Sequence, residues 1–228
     1  MTRTCLTLLT LAAGLSAVSA ADAPPAGVKV DREKRTVTID AKIAPRKMDD
    51  PKFQGVIYPV EVIACWPYPK GQKAHETVVT YQAKPSDVHK ALESLALKPG
   101  KPAQGEGAVG KGPEVEIFLE VPTSSGKAKR ISIEEAMIDT KSGKPVPRLK
   151  WHFTGSALKQ PDPEKDDKVY GADLTGTLIA IFPVTNETVL QTSLKLEQEK
   201  YVKLETNKTL LPKEGTAVKL IVEVPAGT

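Results

Sequence analysis

The feature that most constrains the fold of this chain is a succession of short strand-like segments, most of which alternate apolar and polar residues. Turns rich in charged residues, glycine and proline separate them. Such alternation places every second side chain on one face of a sheet. The segments that we predict as strands are 28–31, 36–40, 58–65, 77–81, 115–121, 128–133, 148–156, 168–173, 177–182, 201–205 and 217–224.

One segment, Pro85 to Leu97, has a helical period instead. Its apolar residues recur at the spacing of one helix face; they are Val88, Ala91, Leu92, Leu95 and Ala96. Pro85 suits a first helical turn, and Lys98-Pro99-Gly100 predicts the end of the helix. Many strands with a single helix indicate an α+β fold, an antiparallel or mixed sheet with the amphipathic helix 85–97 packed on it.

The first twenty residues have the organisation of a secretory signal peptide. Arg3 supplies the positive charge, Leu6 to Leu15 are mostly apolar, and small residues precede a cleavage site near Ala20. We therefore expect an exported protein, periplasmic or secreted, with a proline-rich lead-in at 21–26 and a single domain at 27–228. No later segment has the roughly 20 uncharged residues of a membrane-spanning helix, so we expect no transmembrane segment.

Charge and motif content argue against nucleic acid and against a cofactor. Removing Arg3 from the 32 basic residues leaves 31 against 28 acidic ones, and the lysines are scattered among acidic neighbours. A nucleic-acid footprint needs a clustered basic stripe. Gly105 to Gly110 matches the bare spacing of a dinucleotide fingerprint, but no strand precedes it and no helix follows. We therefore expect neither a nucleic-acid partner nor a cofactor.

Signal cleavage would leave Cys65 as the single cysteine, ten residues before His75. It is then buried and inert, reactive, or joined to a second chain in a disulfide-linked dimer. If 58–65 and 77–81 form a hairpin, Cys65 and His75 come close, and Glu61 shares the strand face of Cys65. Cys65, His75 and Glu61 are thus the candidate catalytic residues of a hydrolase or acyl transferase.

The same residues raise the alternative of a metal site. Cys65 and His75, with His89 and His152, are ligand types that zinc and copper accept, although no established ligand spacing is present. A non-enzymatic binding surface is the third hypothesis, because binding residues are frequent on loops. Its candidate residues are Trp66, Tyr68 and Glu76 in and beside the 66–74 loop, together with Trp151 and Phe153 on one strand face. The glycine-rich loop 101–113 is a further binding element.

Several sequence blocks follow one another along the chain, among them Pro59-Val60-Glu61, Ala64-Cys65, Lys73-Ala74-His75-Glu76, Pro85 to Leu92, Trp151 to Ser156 and Gly215 to Val218. Together these blocks resemble the YdjY-type domain family of exported bacterial proteins. The resemblance covers nearly the whole chain after the signal and implies no established reaction. We therefore favour a module that binds an unknown protein or small molecule, with the Cys–His enzyme and the metal-binding protein as alternatives.

Overall fold

The computed structural model describes residues 26–123 and 126–226. The segment predicted as a signal peptide and most of the lead-in lie outside these residues. The strands of the amino-terminal half are β1 (Val28–Asp31), β2 (Thr36–Ile43), β3 (Val62–Cys65), β4 (Thr77–Tyr81), β5 (Glu114–Pro122), β6 (Ala128–Ser132) and β7 (Met137–Asp139). They continue with β8 (Lys144–Pro145), β9 (Trp151–Phe153), β10 (Leu158–Lys159), β11 (Val169–Tyr170), β12 (Thr177–Ala180), β13 (Leu190–Thr192), β14 (Leu204–Thr206) and β15 (Ala217–Glu223). The α-helices are α1 (Pro85–Glu93) and α2 (Ala172–Thr175).

Eight strands close into a barrel. Their hydrogen-bonded order is β2, β15, β5, β9, β13, β12, β3 and β4, and β4 pairs again with β2 through Ala41 and Tyr81. Closure removes the open edges that a flat sheet of these eight strands would have. β1 pairs with β2 and β6 with β5 beside this ring, while β10–β11 and β14–β7–β8 form two small separate sheets.

The predicted α+β architecture is therefore wrong, because the protein is mostly β and its main sheet is a closed barrel. The local patterns cannot show that the ends of the strand order meet. The helix predicted at 85–97 is real but ends at Glu93, since Ala96 has a left-handed φ of 67° and is exposed. The other four residues of its apolar face are buried, and α1 contacts β1, β2 and α2.

The predicted hairpin of β3 and β4 is also wrong. These strands run parallel, with Val62 opposite Thr77 and Cys65 opposite Thr80. Residues 66–76 are consequently a crossover that returns from the end of β3 to the start of β4. Parallel pairing places Cys65 and His75 at opposite ends of the strand pair, whereas a hairpin would have placed them at the same end.

Arg46 joins the end of β2 to three other segments. This side chain is 4% exposed; its Nε donates to Glu205 Oε1 at 2.7 Å, and its two Nη atoms donate to the carbonyls of His75 and Tyr58. The Arg46 backbone N–H also donates to Glu214 Oε1 at 2.9 Å. One buried guanidinium thus holds the segments around one end of the barrel in place.

We predict that Arg46→Ala lowers the free energy of unfolding by roughly 3 kcal/mol, since it removes the charged partner of Glu205 and leaves the carbonyls of Tyr58 and His75 without this donor. Urea unfolding followed by circular dichroism measures the loss. Lys165→Ala is the control, because it removes an exposed ion pair with Asp162 that contributes less than about 1 kcal/mol. Equal effects of the two substitutions would contradict the assigned role of Arg46.

Candidate functional site

Four charged side chains, Glu61, Lys73, Glu76 and Glu199, meet at the barrel end where β3 and β4 begin, and we call them the Lys73 cluster. Lys73 Nζ lies 2.8 Å from Glu61 Oε2 and 2.7 Å from Glu76 Oε2. The carboxyl groups of Glu76 and Glu199 both interact electrostatically with Glu61. The four side chains come from the start of β3, the crossover and the distant 3₁₀ turn Leu196–Tyr201. Two carboxyl groups therefore share one ammonium group, and the Glu199 carboxyl group adds a third acidic side chain beside them.

This crowding moves the pKa values of the carboxyl groups apart. Burial and the neighbouring Glu61 charge raise the pKa of Glu199 to about 6. Burial likewise raises the pKa of Glu76, and the charge of Glu61 adds to that shift. Burial opposes ionisation of Glu61 too, but the hydrogen bond and charge of Lys73 lower its pKa overall. Glu61 is thus the carboxylate that stays ionised, while its two neighbours retain protons more readily.

His75 borders the Lys73 cluster but belongs to an aromatic group. Its ring centroid lies 4.7 Å from that of Phe53 and 4.9 Å from that of Tyr58, and its Nε2 is 3.2 Å from Glu76 Oε1. Burial, followed by the positive charge of Lys73, lowers the pKa of His75. A neutral imidazole at neutral pH follows from that shift.

Cys65 lies apart from His75, at the other end of β3. The side chain is fully buried, and Sγ is 3.8 Å from the carbonyl oxygen of Thr175. Burial raises the pKa of the Cys65 thiol to about 11, so the nucleophilic thiolate is scarce at neutral pH. The structure does not bring together the candidate triad of Cys65, His75 and Glu61. A disulfide between two copies of Cys65 would require this region to open.

The crossover aromatics have structural partners. Trp66 is buried and its Nε1 donates to the Ala83 carbonyl at 2.7 Å. A Cβ on Gly176, which has a φ of 72°, would lie 2.5 Å from the Trp66 ring, so this contact requires glycine. Tyr68 is half-buried, donates its hydroxyl to Asp50 and packs edge-on against Phe53 at 5.6 Å.

The aromatic pair of β9 lies in the core. Trp151 and Phe153 are 2% and 0% exposed. The Trp151 Nε1 donates to Glu134 Oε1 at 2.8 Å, which satisfies its one polar atom. The Phe153 ring centroid lies 5.0 Å from that of His89. Of the five residues predicted to bind, only Tyr68 retains substantial exposure, and whether any of them contacts a ligand stays a prediction.

A cavity of about 480 Å³ lies beside the 3₁₀ turn Leu196–Tyr201, and we call it the Tyr201 cavity. It is lined mainly by apolar side chains, and they include Val146, Leu149, Phe182, Leu194 and Leu204. Tyr201 also lines it and is 74% exposed. No local sequence pattern marks this cavity, because its walls come from three distant segments. A tyrosine directly after the polar run Glu197-Gln198-Glu199-Lys200 was the available signal.

A larger cleft, about 730 Å³, is bordered by residues of β2, β4, β5, β6 and β15. Charged residues line it, among them Lys219 and Asp40, which pair with each other. Such an arrangement is typical of a solvated sheet face. The Tyr201 cavity, with apolar walls and few polar groups, has the character of a small-molecule site.

Comparison with known proteins places the chain by family alone. The model of the YdjY domain matches residues 28–223, which confirms the resemblance seen in the sequence. No curated protein and no solved structure matches the chain.

None of the helices in the described part of the chain combines the length and hydrophobicity needed to cross a bilayer. Within 26–123 and 126–226, no three His, Cys, Asp or Glu side chains are grouped to hold a metal ion.

We predict that Cys65 reacts slowly with iodoacetamide in the native protein and rapidly after denaturation in urea. Burial and a raised pKa both suppress its thiolate. The measurement is the alkylation rate by mass spectrometry in a Cys5→Ser background, so that Cys65 is the remaining thiol. Rapid alkylation of the native protein at neutral pH would revive the enzyme hypothesis.

Glu199 generates a prediction about pH. Its folded pKa of about 6 exceeds the ordinary 4.5, so its contribution to stability is present below about pH 4.5 and is lost as the pH rises through 6. Glu199→Gln fixes the neutral form. The variant should therefore gain stability relative to the natural protein between about pH 4.5 and pH 7.

Urea unfolding of both proteins at the two pH values tests this prediction. Glu164→Gln, which removes an exposed carboxylate outside the cluster, should differ from the natural protein by the same amount at both pH values. If the Glu199→Gln difference is equally constant, the coupling of Glu199 to Glu61 is wrong.

Proposed function

This chain belongs to the YdjY domain family, and we propose that it is an exported, non-enzymatic module that binds a small, largely apolar molecule in the Tyr201 cavity. The cavity itself is the observation that carries the proposal. Its volume of about 480 Å³ falls within the roughly 300–1,000 Å³ of small-molecule sites. Export is supported by the signal-like pattern of residues 1–20.

The walls of the cavity favour binding over chemistry. Phe182 and Leu204 are buried members of the main core, so that side of the cavity is rigid. Leu149 and Val146 are partly buried and pack against the same core. Asp139, the acidic side chain in the lining, accepts hydrogen bonds from Lys141 N, Lys203 N and the Ser142 hydroxyl. These three hydrogen bonds engage the Asp139 carboxylate, whose role is therefore to stabilise the turn.

The two alternative functions have less support. The enzyme hypothesis needs Cys65 and His75 in contact, and parallel pairing of β3 and β4 separates them. The metal hypothesis uses the same two side chains and meets the same obstacle. In the Lys73 cluster, the carboxylates of Glu61 and Glu76 are already paired with Lys73.

The test uses N-phenyl-1-naphthylamine, an uncharged probe whose fluorescence rises in apolar surroundings. We predict saturable binding at one site. Val146→Trp places an indole in the cavity and should weaken the binding about tenfold or more, which corresponds to roughly 1.4 kcal/mol. Fluorescence titration measures the dissociation constant, and circular dichroism checks that the variant is folded.

Val56→Trp is the matched control, because Val56 is 48% exposed and does not line the cavity. This variant should bind the probe like the natural protein. Absence of saturable binding to the natural protein, or equal binding by both tryptophan variants, would refute the Tyr201 cavity as the site.

A further inference from the structure

The lining of the Tyr201 cavity contains one cationic side chain. Lys144 lines the cavity, is exposed, and forms no side-chain ion pair within the described part of the chain. Lys141 lies close by, and its Nζ donates to the carbonyl of Lys200 at 2.9 Å. Lys203 follows the same 3₁₀ turn. The bond from Lys141 to Lys200 joins the segments 141–144 and 200–203, and Lys144 is the lysine of these segments that lines the cavity.

One acidic residue of the lining, Asp139, lies opposite Lys144 in the pairing of β7 with β8. Asp139 lines the cavity and carries the one carboxylate among its lining side chains. Glu197 is directed elsewhere, since its Oε1 accepts from the backbone of Gly107 at 2.8 Å. Glu199 points into the Lys73 cluster. The Asp139 carboxylate accepts from Lys141 N, Lys203 N and the Ser142 hydroxyl, and no ion pair joins it to Lys144 within the described residues. Lys144 is therefore the lining charge with which a ligand can pair.

We infer that the molecule held in the Tyr201 cavity is an amphiphile with an anionic end, of the class of a medium-chain fatty-acid carboxylate. The apolar walls accept the hydrocarbon part, and Lys144 at the rim faces the anionic group. A charged end outside and an apolar body inside avoid burying an unpaired charge. This inference rests on the proposed function and specifies its ligand.

A single bound molecule fits this cavity better than a lipid surface does. The large apolar residues that are exposed in the described chain are Val56, Ile57, Leu158, Leu174 and Tyr201. Of these, Tyr201 alone lines the cavity. A lipid-binding face requires a contiguous apolar patch, whereas here the apolar surface is concave and lies behind one exposed aromatic ring.

The experiment measures displacement of N-phenyl-1-naphthylamine by three ligands with the same dodecyl chain, each below its micelle concentration and at low salt. Dodecanoate is anionic, dodecanol is neutral, and dodecyltrimethylammonium is cationic. We expect dodecanoate to bind about threefold to fivefold more tightly than dodecanol, the range of an exposed ion pair. The preference should fall as salt is added, because an exposed pair is screened.

The informative variant is Lys144→Glu. It should remove the preference for dodecanoate and favour dodecyltrimethylammonium, with dodecanol unchanged, because it alters the rim and not the walls. Lys98→Glu is the matched control, since Lys98 is exposed, lies outside the cavity lining and should keep the original order.

The outcomes separate the two proposals. If the probe binds but the three ligands displace it equally, or if Lys144→Glu leaves the preference intact, the anionic ligand is refuted and the apolar site stands. If neither the probe nor any of the ligands binds, the proposed function fails and the inference fails with it. Binding to phosphatidylglycerol vesicles without binding of monomeric dodecanoate would overturn the inference in favour of a lipid surface.

Discussion

The pairing of β4 with β2 is the interaction on which the rest of the structure depends. Three residue pairs, from Ala41 with Tyr81 to Ile43 with Val79, convert a curled sheet into a closed ring. Closure satisfies backbone groups that would otherwise form two sheet edges. It also brings the end of β2 beside the start of β4, where Arg46 can reach the carbonyls of Tyr58 and His75. Local order at this barrel end follows from one long-range contact.

The individual strands were largely predictable because their residues alternate. β5 is the clearest case, with Val115, Ile117, Leu119 and Val121 buried and their neighbours more exposed. The closed barrel was not predictable. Alternation of apolar and polar residues indicates which face of a strand is buried, but it does not indicate which strand lies beside it. The helix pattern failed only at its last turn, where Ala96 adopts a left-handed conformation that its side chain gives no reason to expect.

The candidate site shows the same division. Burial of Cys65 was among the outcomes that the sequence left open, and its apolar neighbours in β3 favour it. The direction of β4 decided whether His75 lay near, and an eleven-residue crossover at 66–76 is compatible with either direction. Lys73 and Glu76 are oppositely charged residues three positions apart, a spacing too common to indicate a site. Their partner Glu199 is more than a hundred residues away, and a single sequence holds no signal for such a contact.

The position of β15 has a consequence for the order in which the barrel can form. In the sequence this strand follows all the other strands of the barrel, yet it lies between β2 and β5 and pairs with both. Until it arrives, the facing edges of those two strands have no partner. The barrel therefore cannot close during synthesis until β15 has been made. Pairings of such long sequence separation form slowly, and the incomplete chain meanwhile exposes the two strand edges most prone to pair with another molecule.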